Sequence, residues 1–136
     1  FGDPECQSIM MLLKSDVLEL LLSCSEGRLE KSKIEWHDAF ALSVVMATKG
    51  YPGDYEKGSK IMGLDLASKV KDVMIFHAGT IEYDGRIVAS GGRVLNVTAL
   101  GKTVKSAKKK AYEAVDLIDW PEGFCRSDIG WHAVGD

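Results

Sequence analysis

Several stretches of the sequence carry residue types that could grip or transform a charged ligand. Gly101-Lys102-Thr103 follows a β-like run and opens a helical pattern. That is how a phosphate-binding loop ends, with backbone N–H groups around phosphate oxygens and a lysine to neutralise charge. The full loop needs a glycine five positions before Gly101, and that position is Asn96, inside a strand-like run. What remains is better read as a strand-to-helix junction with Thr103 as the helix cap. A lesser anion-contacting role is still compatible with it, because helix starts offer free N–H groups and Lys102 adds charge.

Gly91-Gly92-Arg93 leaves two readings open. It is either a turn with an exposed arginine, or a place where bare backbone approaches a ligand that Arg93 grips in bidentate fashion. His77, in Phe76-His77-Ala78, reads as a hydrogen-bonded histidine of a buried strand rather than a catalyst. Asp3 and Glu5 sit at a helix start, where capping and dipole compensation account for their spacing. Lys105, Lys108, Lys109 and Lys110 read as a solvated helix face, with Lys109 and Glu113 as an i,i+4 pair. No serine or cysteine stands in a nucleophile elbow, and no His/Cys/Asp group has metal-ligand spacing.

The elements that must position these residues can be traced along the chain. Residues 4–27 read as one helix, with Asp3 as cap, Pro4 in the first position and Gly27 as the stop. Ile9, Leu13, Val17, Leu20 and Leu21 form its apolar stripe. Residues 28–37 are polar and read as a connection. Residues 39–48 are an apolar run that reads as a strand buried on both faces, and Pro52-Gly53-Asp54 follows as a turn. Residues 59–72 suggest a short strand and a helical turn. Residues 73–83 read as one strand that turns at Asp84-Gly85 and returns as Arg86–Ser90. Residues 93–100 are another strand. A second helix begins at Thr103, with Val104, Ala107, Ala111, Ala114, Val115 and Ile118 on one face, and it ends near Pro121 and Gly123. The tail suggests a last short strand. The order is that of an α+β protein.

The bulk numbers fit one ordinary domain, or one domain plus a piece of another. There are 136 residues, 46% hydrophobic and 27% charged, with a net charge of −3. That mild acidity argues against a nucleic-acid or anionic-membrane partner. No apolar run approaches the ~20 residues of a membrane span, and no signal peptide is visible. Cys6, Cys24 and Cys125 lack C-x-x-C spacing and suit reduced thiols in a cytoplasmic protein. The chain opens on Phe1 rather than Met and reads as a fragment.

Several stretches taken together resemble one family. Phe-Gly-Asp-Pro-Glu-Cys-Gln at 1–7, Leu-Leu-Lys-Ser-Asp at 12–16, the Gly-Tyr-Pro-Gly-Asp-Tyr run at 50–55, Phe-His-Ala-Gly-Thr at 76–80, the run from Ser90 to Thr103 and Asp-Ile-Gly-Trp at 128–131 occur in this order in glycinamide ribonucleotide synthetase. The resemblance covers nearly the whole chain. It implies an ATP-grasp ligase of de novo purine synthesis. Such an enzyme joins glycine to 5-phosphoribosylamine through a glycyl phosphate, using ATP and Mg (or Mn), so it must position three reactants and neutralise a leaving phosphate.

The same resemblance implies a division of the chain. Residues 1–37 would be the tail end of the ATP-grasp region and its connection. Residues 38–136 would be the C-terminal domain, a small β-rich, sandwich-like structure with one long helix, packed against the rest of the ligase chain and walling the substrate site. The metal ligands and the adenine- and phosphate-binding segments would precede Phe1, leaving this stretch inactive alone. Asp3 and Glu5 would lie beside the metal site and contact the substrate or its amine. Gly91, Gly92 and Arg93 would meet the ribose phosphate or a carboxylate, and His77, Gly79 and Thr80 would line the same cleft. The family's usual arginine after Asp-Ile-Gly-Trp is His132 here, and Cys6 is a variant associated with eukaryotic, multifunctional members. Two other readings stand beside this one. One is a related carboxylate–amine ligase. The other is a biotinyl- or lipoyl-type carrier, which needs a lysine at a hairpin tip where this chain has Asp84-Gly85.

Overall fold

A computed structural model describes residues 2–134, so Phe1, Gly135 and Asp136, at the ends of the expected ranges, lie outside it. The N-terminal apolar segment is not one helix. It breaks into α1 (Glu5–Leu12) and α2 (Val17–Ser25). Between them Leu13 turns extended and bridges Trp36, while the N–H groups of Lys14 and Ser15 both donate to the Glu35 carbonyl. Asp16 then caps α2, accepting from the N–H groups of Leu18 and Glu19. An Asp followed three positions later by Glu is a helix-start signature; the continuous stripe of leucines masked it.

The next long elements follow the sequence closely. Strand β1 (Phe40–Thr48) and strand β5 (Arg93–Gly101) pair antiparallel at the centre of a four-stranded sheet. The edges are β2 (Val73–His77), beside β5, and the two-residue β6 (Gly123–Phe124), beside β1. The run 73–83 is not one strand: β2 stops at His77, and β3 (Thr80–Tyr83) belongs to a separate hairpin with β4 (Arg86–Ala89). The Asp84-Gly85 turn closes that hairpin with both residues at positive φ, as a tight two-residue connection demands.

Side chains alternate across a strand. Leu42, Val44 and Met46 of β1, opposite Ala99, Val97 and Leu95 of β5, face the core under α4 (Val104–Asp116). Ala107, Ala111 and Ala114 let that helix lie close on the sheet and are fully buried. The helix ends at Asp116, sooner than the proline marks it, and Ile118 enters the core just past its end. Short helices α3 (Leu64–Ala67) and α5 (Trp131–Val134) complete the chain. No helix among the described residues is long and apolar enough to cross a membrane.

The opposite face of the sheet meets α1. Ser8 bonds Ser43 at 2.7 Å, Ser43 bonds Thr98 at 2.7 Å, and Thr98 donates to Asn96 Oδ1 at 2.8 Å. The sheet is therefore covered by α4 through apolar packing and by α1 through a polar seam. The expected boundary after residue 37 separates two parts that pack directly on each other.

Candidate functional site

A β-bulge aims Arg93. Met46 pairs with Leu95, but Ala47 pairs with Arg93, so Val94 is an extra residue in β5. Such an insertion switches the face that the following side chains occupy. Val94 and Leu95 both enter the core, and Arg93 falls on the face of Val45 and Ala47, the face that carries α1. Regular alternation would have sent Arg93 toward the core side.

There Arg93 Nε donates to Asp3 Oδ2 at 2.7 Å, and Arg93 Nη1 donates to the Tyr51 hydroxyl at 3.2 Å. The Asp3 carboxylate, bonded to the guanidinium, holds its pKa above the ordinary arginine value, with Tyr51 adding to the effect. Asp3 also accepts from Gln7 Nε2 at 2.9 Å. Asp3 is thus not the helix cap that its position suggests; Pro4 takes the N-cap position before α1 without a side-chain cap, and the carboxylate is committed to Arg93. Arg93 remains 45% exposed, and the N–H groups that find no partner among the described residues are open to an anion.

The two glycine-containing runs meet beneath this arginine. A Cβ on Gly79 would sit 2.7 Å from both the Arg93 carbonyl and Gly91 Cα, so the two backbones touch. The Gly79 carbonyl accepts from the N–H groups of Ser90 and Gly91, and Gly79 N–H donates to the Arg93 carbonyl. Gly92 is bare for a different reason: a Cβ there would lie 2.2 Å from Cδ2 of Tyr51. Thr48 holds the other side, its Oγ1 donating to the Gly91 carbonyl and its N–H to the Gly92 carbonyl.

Asp3, Gly79, Gly91, Gly92 and Arg93 therefore come together. His77 is at the exposed end of β2 rather than in the core, bonded through Nδ1 to Thr80 Oγ1 at 3.0 Å. Among the described residues, neither Glu5 nor Thr80 forms a hydrogen bond or ion pair with Arg93. Sequence reasoning missed Tyr51 and Gln7. Tyr51 was legible only as part of a turn, because its partner lies 42 positions away. On the same helix–strand seam, Gln7 Oε1 and Asn96 Nδ2 are buried without a partner among the described residues.

The start of α4 does not suit a triphosphate. Thr103 Oγ1 accepts from the Ser106 N–H, and Ser106 Oγ accepts from the Thr103 N–H, a reciprocal capping box. Gly101 is packed against Ser106 and Ala107. The adjoining hollow, about 370 Å³, holds Asp38 and Asp72 as well as Lys102 and Lys110. Lys110 is spent on Asp72 at 2.5 Å and on the Leu100 carbonyl at 3.0 Å, so it is not part of a free basic face. Lys109 and Glu113 form no ion pair among the described residues. No group of three His, Cys, Asp or Glu side chains among the described residues could hold a metal ion.

A second surface is apolar. The stripe Ile9, Leu13, Val17, Leu20 and Leu21 lines, with Trp36, a hollow of about 200 Å³. Leu18, Leu21 and Trp36 stand 70%, 57% and 53% exposed. Exposed apolar surface of this extent is a feature of interaction sites and ligand grooves.

Fold and site together define a small mixed α/β domain with a partly exposed arginine held at a helix–sheet seam. Residues 41–132 match the family described as phosphoribosylglycinamide synthetase, C domain, and the chain belongs to that family. It is 58% identical over 134 residues to phosphoribosylamine–glycine ligase of Brucella melitensis, covering 98% of this chain and 31% of that protein. It is 53% identical to the enzyme of that name from Escherichia coli O157:H7, with the same coverages. The chloroplastic enzyme of Arabidopsis thaliana is 52% identical, with 26% of its length covered. The crystal structure of phosphoribosylamine–glycine ligase from Thermotoga maritima superposes with a TM-score of 0.73 at 33% identity, over 95% of this chain and 31% of that one. The chain thus spans about a third of the length of the curated relatives it matches.

Proposed function

We propose that this chain is the C-terminal part of an ATP-dependent ligase that joins glycine to 5-phosphoribosylamine in purine biosynthesis, and that it supplies one wall of the substrate cleft. The observation that carries the reading is Arg93. A β-bulge turns it out of the core, Asp3 and Tyr51 fix it, and it retains N–H groups for the ribose phosphate or a substrate carboxylate. Gly79, Gly91 and Gly92 let the two backbones and the Tyr51 ring pack closely beneath it. His77, Thr80 and Glu5 belong to the rim of that cleft in this reading.

Residues 1–37 are then the tail end of the ATP-grasp region and residues 38–136 the sandwich-like C-terminal domain. ATP and Mg (or Mn) are held by the rest of the ligase chain, which covers the apolar hollow of α1 and α2. A cytoplasmic location suits the free thiols of Cys6, Cys24 and Cys125. The carrier reading gains nothing, since the hairpin tip is Asp84-Gly85 with no lysine.

The test is ATP consumption coupled to glycinamide ribonucleotide formation. A full-length ligase carrying this chain should give product only with glycine, 5-phosphoribosylamine and ATP together. The isolated chain should give none; turnover by the isolated chain would overturn the reading.

A further inference from the structure

We propose that Tyr51 is a positioning residue of the Arg93 cleft, setting the direction in which the guanidinium presents its free N–H groups to an anionic substrate oxygen. The inference rests on the reading of Arg93 as the substrate anion's contact. The Tyr51 backbone is tied to Thr48, which accepts its N–H at 3.1 Å, and Thr48 in turn clamps Gly91 and Gly92. The Tyr51 ring lies across Gly92 so closely that no side chain larger than hydrogen fits there. Its other neighbour is Tyr55, met edge-on with centroids 6.2 Å apart. Gly50, just before it, sits against the Asp54 carbonyl, where an added Cβ would come within 2.1 Å, so the turn carrying both tyrosines is closed on itself.

The hydroxyl then reaches Arg93 Nη1 while Asp3 holds Nε. An arginine pinned at Nε alone can still swing about that bond. Pinned at Nε and at one Nη, its plane is fixed, and the free edge faces one direction. Ordering of this kind lowers the entropy lost when the anion binds. A ring held by a turn, a bare glycine and a second tyrosine exceeds what a surface turn needs. Its polar end meets a charged group that points into solvent.

The experiment is a kinetic double-mutant cycle in a full-length ligase carrying this chain, with Tyr51→Phe, Arg93→Ala and the pair. Tyr51→Phe keeps the ring and removes only the hydroxyl. The expected result is a KM for 5-phosphoribosylamine raised about 3- to 10-fold, with kcat and the KM for ATP unchanged. In the Arg93→Ala background the same change should have no further effect. An Arg93→Ala enzyme with unaltered KM for 5-phosphoribosylamine overturns the reading of Arg93 itself. A raised KM in Arg93→Ala, with Tyr51→Phe silent or equally effective in both backgrounds, overturns the role of Tyr51 and leaves Arg93 standing. Equal losses toward ATP and 5-phosphoribosylamine in Tyr51→Phe reduce Tyr51 to general structure and also overturn the proposal.

Discussion

Replacing Gly101 with alanine separates a structural junction from a phosphate loop. The added Cβ would stand 2.3 Å from Ser106 Oγ, 2.5 Å from the Ala107 nitrogen and 2.9 Å from the Thr103 carbonyl oxygen. Ser106 can rotate away, but its hydroxyl then abandons the Thr103 N–H and half of the capping box is lost. Ala107 cannot yield, because it is fully buried under the sheet and its nitrogen is part of the first turn of α4. Losing part of a cap costs roughly 0.5–1 kcal/mol, and overpacking at fixed backbone costs about 1–3 kcal/mol. The sum, about 1.5–4 kcal/mol, corresponds to a fall in melting midpoint on the order of 5–15 °C for a domain of this size. Thermal unfolding followed by circular dichroism measures it. Ser106→Ala should cost only the cap, and the double variant should cost less than the two singles added, since the nearest clash is gone. In a full-length ligase carrying Gly101→Ala, the KM for ATP should be unchanged. A raised KM for ATP with an unaltered melting midpoint would refute the reasoning and return Gly101-Lys102-Thr103 to the phosphate-loop reading.

Two further outcomes follow from charge and burial. The Lys110 hydrogen bond holds the Asp72 carboxyl below its ordinary value of 3.8 against a smaller opposing effect of burial. The stability it contributes is therefore fully present above that value and is lost as pH falls through the lower folded-state value. Wild type and Asp72→Asn should differ most near neutral pH and converge in acid during unfolding titrations; a gap that widens in acid would contradict the pairing. Burial, and then Asp116, push the Cys125 thiol up. Iodoacetamide at mildly alkaline pH should thus modify exposed Cys24 well before Cys125 in the isolated chain. In a full-length ligase Cys24, which lines the apolar hollow, should become protected; equal labelling in both would show that nothing covers that hollow.

The sequence made some of this plain and hid the rest for definite reasons. Strands β1 and β5, the Asp84-Gly85 hairpin and the Thr103-capped α4 rest on local signals, and the structure follows them. The sequence predicts one long first helix because the leucine stripe continues in register through Leu13 and Val17, whereas the break is imposed by pairing with Glu35 and Trp36 some 20 positions on. The sequence predicts a single strand over 73–83 because strand-forming residues flank His77-Ala78-Gly79 on both sides; the close approach of the Gly79 and Gly91 backbones separates β2 from β3. At the site, Gly91, Gly92 and Arg93 could be singled out by residue type. Their pairing with Asp3, 90 positions away, could not. The bulge at Val94 is likewise invisible in the sequence, since Val94 is as apolar as Leu95 after it.

The account's central claim is that this chain can serve as the C-terminal third of the ligase and supply its substrate-facing wall. The most direct measurement replaces the matching third of the Escherichia coli relative, 53% identical to this chain, with residues 1–136 and follows ATP-dependent glycinamide ribonucleotide formation. The account predicts turnover within about tenfold of the unaltered enzyme, roughly 1.4 kcal/mol in the barrier. A chimera that folds and binds ATP, yet forms no product, would contradict it.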